Sequence, residues 1–155
     1  MTTTTVAPPV TGQDINLAAR ATRKALELVL AEQGTSFQPL AVLNVITGRG
    51  AALDRDALVS VLANAFDVDA QTVLTLLHGL KARCLVRHTA SSAPETVHFE
   101  LTPDGQKEHQ RLTAITGELI ATLYRDFDPE DLATTRRVLV TLTERAEAHV
   151  RSVLS

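Results

Sequence analysis

The hydrophobic period of this chain changes twice between Leu62 and Gly105, and few architectures accommodate that. Val73, Leu76, Leu77 and Leu80 stand at i, i+3, i+4 and i+7, which is one face of a helix. Gln71, Thr75 and His78 fall on the opposite face, with Thr72 and Gly79 beside them. Asp69 precedes this helix as a cap for its free N–H groups. From Cys84 the period becomes two: Cys84, Leu85 and Val86 open an apolar strand, and Val97, Phe99 and Leu101 alternate with His98 and Glu100. Thr89, Ala90, Ser91, Ser92, Ala93 and Pro94 have the composition of a hairpin tip. Thr102 and Pro103 then begin another helix, with Pro at the position where a missing N–H costs nothing.

Helical patterns flank this stretch on both sides. Thr11 and Asp14 have the spacing of a capping box. The helix they open, about residues 14–33, is expected to bury Ile15, Leu17, Ala18, Ala21, Ala25, Leu28 and Val29, and Gly34 suits its end. Ser36 is placed to cap a second helix with Pro39 in its first turn and Leu40, Leu43, Val45 and Ile46 inside. A third, from about Asp54 to Ala65, turns Leu58, Leu62 and Phe66 inward. After the hairpin, one long helix reaches about Arg125 along Leu112, Ile115, Leu119, Ile120 and Leu123. Asp128, Pro129, Glu130 and Asp131 start the last in the preferred order, ahead of Leu132, Val138, Leu139, Leu142, Ala146, Val150 and Leu154. The expected fold is mainly α (α+β): a winged helix-turn-helix over about residues 36–101, with its second helix as the usual groove reader. Helices at about 14–33, 102–125 and 128–154 carry more apolar surface than so small a winged unit needs, which calls for a partner subunit. Residues 1–13 read as a disordered arm, leaving 14–155 as one domain.

Composition narrows the function. At 155 residues the chain is long enough for one core, and 45% hydrophobic with 3% aromatic residues makes that core aliphatic. No apolar run approaches a membrane span, so no membrane partner is expected. A single cysteine excludes an internal disulfide and any multi-cysteine zinc site, and the cytoplasm is the expected compartment. The five histidines form neither an HxxxH nor an HExxH pair; His88 and His98 are expected to face each other across the hairpin, and no metal or other cofactor is expected. Gly48, Arg49 and Gly50 lack the Gly-Lys-Ser/Thr context of a phosphate loop, and no nucleophile, base and orienting acid occur together, so the chain does not read as an enzyme. Cys84, beside Leu85 and Val86, is expected as a small buried residue rather than a reactive thiol. The formal charge is −3, and from Asp54 to Glu100 four Arg and Lys face six Asp and Glu, so DNA binding would rest on arrangement rather than on excess charge.

Leu62, Ala63, Asn64, Ala65 and Phe66, then Val73, Leu76, Leu77, Leu80, Leu85 and Val86, and above all Leu101, Thr102, Pro103, Asp104 and Gly105, resemble the MarR family of bacterial transcriptional regulators. The resemblance runs from about Ile15 to the C-terminus; the family usually places Gly where this chain has Cys84. It implies a homodimer built from the terminal helices, repression at an inverted-repeat site on double-stranded DNA, and release by a small aromatic acid bound between the dimer helices and the winged part. On that basis Gln71, Thr72, Thr75 and His78 are expected at base edges or phosphates in the major groove. Lys81, Arg83 and Arg87 would position the backbone, and His88, Ser91 and Ser92 would serve the wing. Arg20, Arg23 or Lys24 would hold the ligand's carboxylate, although solvated positions on a helix are the simpler account of all three. The rival reading is a winged-helix dimer that has lost DNA binding and acts as a protein-interaction scaffold.

Overall fold

Thr11 and Asp14 cap one another at the start of α1 (Gly12–Glu32): the Thr11 hydroxyl accepts the Asp14 N–H at 3.3 Å, and the Asp14 carboxylate accepts the Thr11 N–H at 2.8 Å. The pair satisfies two donors that a helix start leaves unpaired. The Thr11 hydroxyl first, and its N–H second, hold the Asp14 carboxyl below its ordinary range. The computed structural model describes residues 9–49, 54–90 and 97–154. Within them follow α2 (Phe37–Arg49), α3 (Arg55–Phe66), α4 (Ala70–Ala82), the antiparallel strands β1 (Val86–Ala90) and β2 (Val97–Leu101), α5 (Pro103–Leu123) and α6 (Pro129–Leu154). This is the mainly helical, winged helix-turn-helix class expected from the pattern. Helices α3 and α4 are bent by 110° at their junction, inside the range of about 90–120° for a helix-turn-helix. No single helix among the described residues is long and apolar enough to cross a membrane.

Three of the turns use one device. After α1, Gly34 takes φ +70°, and the N–H groups of Gly34 and Thr35 return to the carbonyls of Ala31 and Leu30. After α3, Asp67 takes φ 53°, and the Val68 N–H returns to Ala63. After α4, Cys84 takes φ 56°, and the N–H groups of Cys84 and Leu85 return to Lys81 and Leu80. A left-handed residue at this point lets the last carbonyls of a helix find donors. Cys84 therefore does not begin the strand and is not buried: it is an exposed thiol at a helix end, and β1 starts two residues later. The Leu85 side chain is buried, as are Leu80 and Val86, so the turn is anchored from both sides.

One core holds the first five helices and the hairpin together. Leu40, Val42, Leu43 and Ile46 of α2 meet Leu58 and Leu62 of α3, Val73, Leu77 and Leu80 of α4, and Phe99 and Leu101 of β2, with Leu112 closing it from α5. Val42 was not among the positions expected inside. From α1 the core takes Leu30, with Leu26 packed beside it, whereas Leu17 and Leu28, expected inside, are 55% and 62% exposed. Residues 26 and 30 are one turn apart and face α2; residues 17 and 28 lie on a different stripe. At its start α2 is tied to α1, because the Phe37 N–H donates to Glu27 Oε2 at 3.2 Å. Helix α5 is pinned by polar links as well. His109 Nε2 and Asn44 Oδ1 are hydrogen-bonded at 2.8 Å, and Arg111 donates to Gln33 at 2.6 Å and to both Glu108 oxygens.

The start of α5 shows why its opening residues are Thr, Pro and Gly. The Thr102 hydroxyl accepts the Gly105 N–H at 2.9 Å as the cap, and donates to the Cys84 carbonyl at 2.5 Å. A Cβ at Gly105 would stand 1.9 Å from the Leu85 carbonyl oxygen. Only a glycine lets this helix end approach the turn that closely.

The chain divides into two compact units, one ending at Leu119 and the next beginning at Ile120. The second holds the end of α5 and all of α6, whose start is capped by Asp128 accepting the Glu130 N–H at 2.7 Å. No residue of α6 is buried.

Candidate nucleic-acid interface

Asp69 fixes where α4 begins: its carboxylate accepts the Thr72 N–H at 2.7 Å, a bond that lowers its own pKa. From there Val73, Leu77 and Leu80 turn inward and Leu76 is half-buried, while Gln71, Thr72, Thr75, His78, Gly79 and Lys81 are exposed. Gln71, Thr75 and His78 form the centre of the outward face. The Thr75 hydroxyl donates to the Gln71 carbonyl at 2.9 Å, which leaves its methyl group and oxygen lone pairs outward.

The two flanks of this face differ. On one, Thr72, Thr75, Gly79 and Arg83 join Gln38 and Pro39 of α2 around a cleft of about 490 Å³ floored by Leu76 and Leu80. Gln38 carries no periodic signal in the sequence, and it reaches the site only through the packing of α2 on α4. On the other flank His78 and Lys81 approach the wing.

The wing's register revises the expectation for its histidines. Val86 pairs with Leu101, Arg87 with Glu100, His88 with Phe99 and Thr89 with His98. His88 and His98 therefore lie on opposite sheet faces and do not meet. His88 shares its face with Val86 and Phe99, and its ring stands edge-on to Phe99 at 4.5 Å. Partial burial first, then the charges of Lys81, Arg55 and His78, hold the His88 imidazole below the ordinary 6.5. Its protonation is thus harder in the folded than in the unfolded chain, so His88 removes stability as pH falls from 6.5 through its folded midpoint. Any gain of wing charge from His88 in the free protein comes at lower pH than an ordinary histidine would give. On the other face the Arg87 guanidinium donates to the Glu100 carboxylate. Ser91 and Ser92 lie outside the described residues.

Arg20, Arg23 and Lys24 are exposed along α1. The Arg23 guanidinium sits 3.4 Å from the centre of the Phe37 ring, a cation–π contact. None of the three lines the cleft beside α4 or the one between the wing and α5. In the sequence Arg55 is only one of the four basic residues between Asp54 and Glu100, with no site role; its neighbour Asp54 bridges to His98 of the wing.

No protein-family model matches the chain, and no protein of curated function matches it in sequence. Solved structures do match, and they define the class: a winged helix-turn-helix fold of the MarR type. The transcriptional regulator PA3341 superposes with a TM-score of 0.76 at 23% identity, over 88% of this chain and 98% of that one. A Staphylococcus aureus MepR–DNA complex gives 0.71 at 16% identity, over 88% and 96%. The Mycobacterium tuberculosis MarR family protein Rv2887, in complex with salicylic acid, gives 0.68 at 19% identity, over 88% and 99%. At these identities the likeness is one of fold.

Proposed function

We propose that the protein is a DNA-binding transcriptional regulator that represses, as a homodimer, from an inverted-repeat site. The observation that carries this reading is the outward face of α4. Gln71, Thr75 and His78 project from a helix held by the core on its other side, next to a two-stranded wing. An exposed, polar helix face at a helix-turn-helix angle matches what major-groove readout requires: Gln bonds adenine through two atoms, and Thr offers a hydroxyl and a methyl. A fold neighbour solved on DNA, MepR, supports the assignment. Selecting genomic fragments with the purified protein at low salt tests it. The expected outcome is an enriched inverted repeat with half-sites about one helical turn of DNA apart. If no sequence is enriched, the scaffold reading takes its place.

Ligand-controlled release belongs to the same proposal, supported by the salicylic acid complex of Rv2887. In this chain Arg83 stands on an apolar cleft beside Pro39, Leu76 and Leu80, which makes it a further candidate for the ligand's carboxylate next to Arg20, Arg23 and Lys24. Salicylate-like acids should raise the melting temperature of the wild type and not of Arg83→Gln.

A further inference from the structure

Four basic side chains from three elements gather where the reading helix meets the wing. His78 and Lys81 stand three residues apart on α4, the spacing at which side chains are neighbours. His88 comes from β1. Arg55 comes from the first turn of α3, next to Asp54, which bridges to His98 on the edge of β2 away from β1, while His88 lies on the sheet face it shares with the buried Val86 and Phe99. The charges of Lys81, Arg55 and His78 are all felt at the His88 ring.

Two acidic groups on these elements, Asp54 and Glu100, are already engaged. The Asp54 carboxylate accepts the Ala57 N–H at 2.8 Å as the α3 cap. Glu100 accepts Arg87 on the opposite sheet face, where His98 also lies. Asp56, next along α3 from Arg55, is exposed. The free protein thus holds like charges together, and burial together with the charges of Lys81, Arg55 and His78 disfavours protonation of His88. An anion with several oxygens relieves that repulsion.

We propose that Arg55, His78, Lys81 and His88 form a cradle for one phosphate of the duplex DNA backbone. The inference rests on the DNA-binding reading above and extends it: Arg55 becomes a positioning contact that carries no sequence information, and docking becomes linked to a proton. Phosphate beside His88 favours the imidazolium, so its midpoint rises on binding. Between the free and the bound midpoints the complex takes up a proton on His88. Affinity accordingly grows as pH falls through the bound midpoint and levels off below the free one.

Because phosphate contacts are independent of sequence, sheared double-stranded DNA is a sufficient probe for the full chain. Binding is measured by anisotropy against salt and pH, and the His88 midpoint by NMR of its ring proton with and without DNA. Arg55→Gln is expected to make the slope of log affinity against log salt shallower by about 0.9 per protomer. Lys107→Gln, on α5, is expected to leave that slope in place. DNA is expected to raise the wild-type His88 midpoint, and His88→Gln to abolish its share of the pH dependence; melting curves confirm that both exposed-site variants fold. An unchanged slope in Arg55→Gln, an equal loss in Lys107→Gln, or a His88 midpoint that DNA leaves in place overturns the cradle while DNA binding itself stands. An equal midpoint rise with inorganic phosphate alone overturns the duplex backbone as its ligand. If the wild type binds no duplex at any pH, the DNA-binding reading falls and the cradle with it.

Discussion

Gly105 and Cys84 meet at one crowded point, where the start of α5 closes on the turn after α4. A methyl group on Gly105 would press on the Leu85 backbone, which cannot swing aside as a side chain could, because the Leu85 N–H and carbonyl are both bonded. Gly105→Ala should therefore cost about 1–3 kcal/mol in urea unfolding. Cys84→Gly should act in the opposite sense and add about 1 kcal/mol, the order of the penalty for a side chain in the left-handed region. A loss in Cys84→Gly would mean that the thiol makes a contact worth more than its backbone strain. Periodicity placed the cap at Thr102 and the helix after it, but not the reason for Gly105, which is a contact made across 20 positions of chain between Leu85 and Gly105. Cys84 was misplaced because Leu85 and Val86 carry a strand pattern that a left-handed residue before them does not alter. The signal was present in the family resemblance, which puts glycine there.

At the scale of elements, α4 was legible because one run of residues supplies its cap, its buried stripe and its outward face. The wing was not. Its strands were visible, but register depends on the length and shape of the tip, and a shift of one pairing separates His88 from His98. Counting charges along the sequence also misjudged the surface: Asp54 and Asp69 are acceptors for helix N–H groups, and Glu100 is paired with Arg87. That pair alters the expectation for Arg87. A guanidinium that already has a carboxylate must exchange one anion for another to hold DNA, and at 60% exposure the pair gains little on its own account. Arg87→Ala should thus weaken duplex binding less than Lys81→Ala does. Glu100→Gln should strengthen it and steepen the salt dependence by up to about 0.9 per protomer. Weaker binding in Glu100→Gln would show that the carboxylate orients Arg87 for the DNA.

For the whole molecule the decisive fact is apolar surface without a partner. Helix α6 runs for 26 residues and buries none of them. Leu139, Leu142 and Val150 are 39%, 48% and 54% exposed, and with Leu132, Ala146 and Val153 they fall at spacings of three, four and seven, one stripe of a helix. Leu17 and Leu28 on α1, and Ile120 and Leu123 on α5, are exposed as well. A helix of this kind gains most of its stability from packing such a stripe, and exposed apolar area on this scale marks an interaction surface. The homodimer of the proposed function covers it with a second copy, which also supplies the two-fold axis that an inverted repeat requires. The unfolding midpoint of the wild type should then rise with protein concentration, since association stabilises only the folded chain. Leu139→Glu combined with Leu142→Glu should remove that dependence and give a monomer by sedimentation, with loss of inverted-repeat binding but with the α4 cap and the winged core intact by NMR. A wild type that sediments as a monomer at micromolar concentration, with a midpoint independent of concentration, would sink the dimer and leave α6 to a different partner.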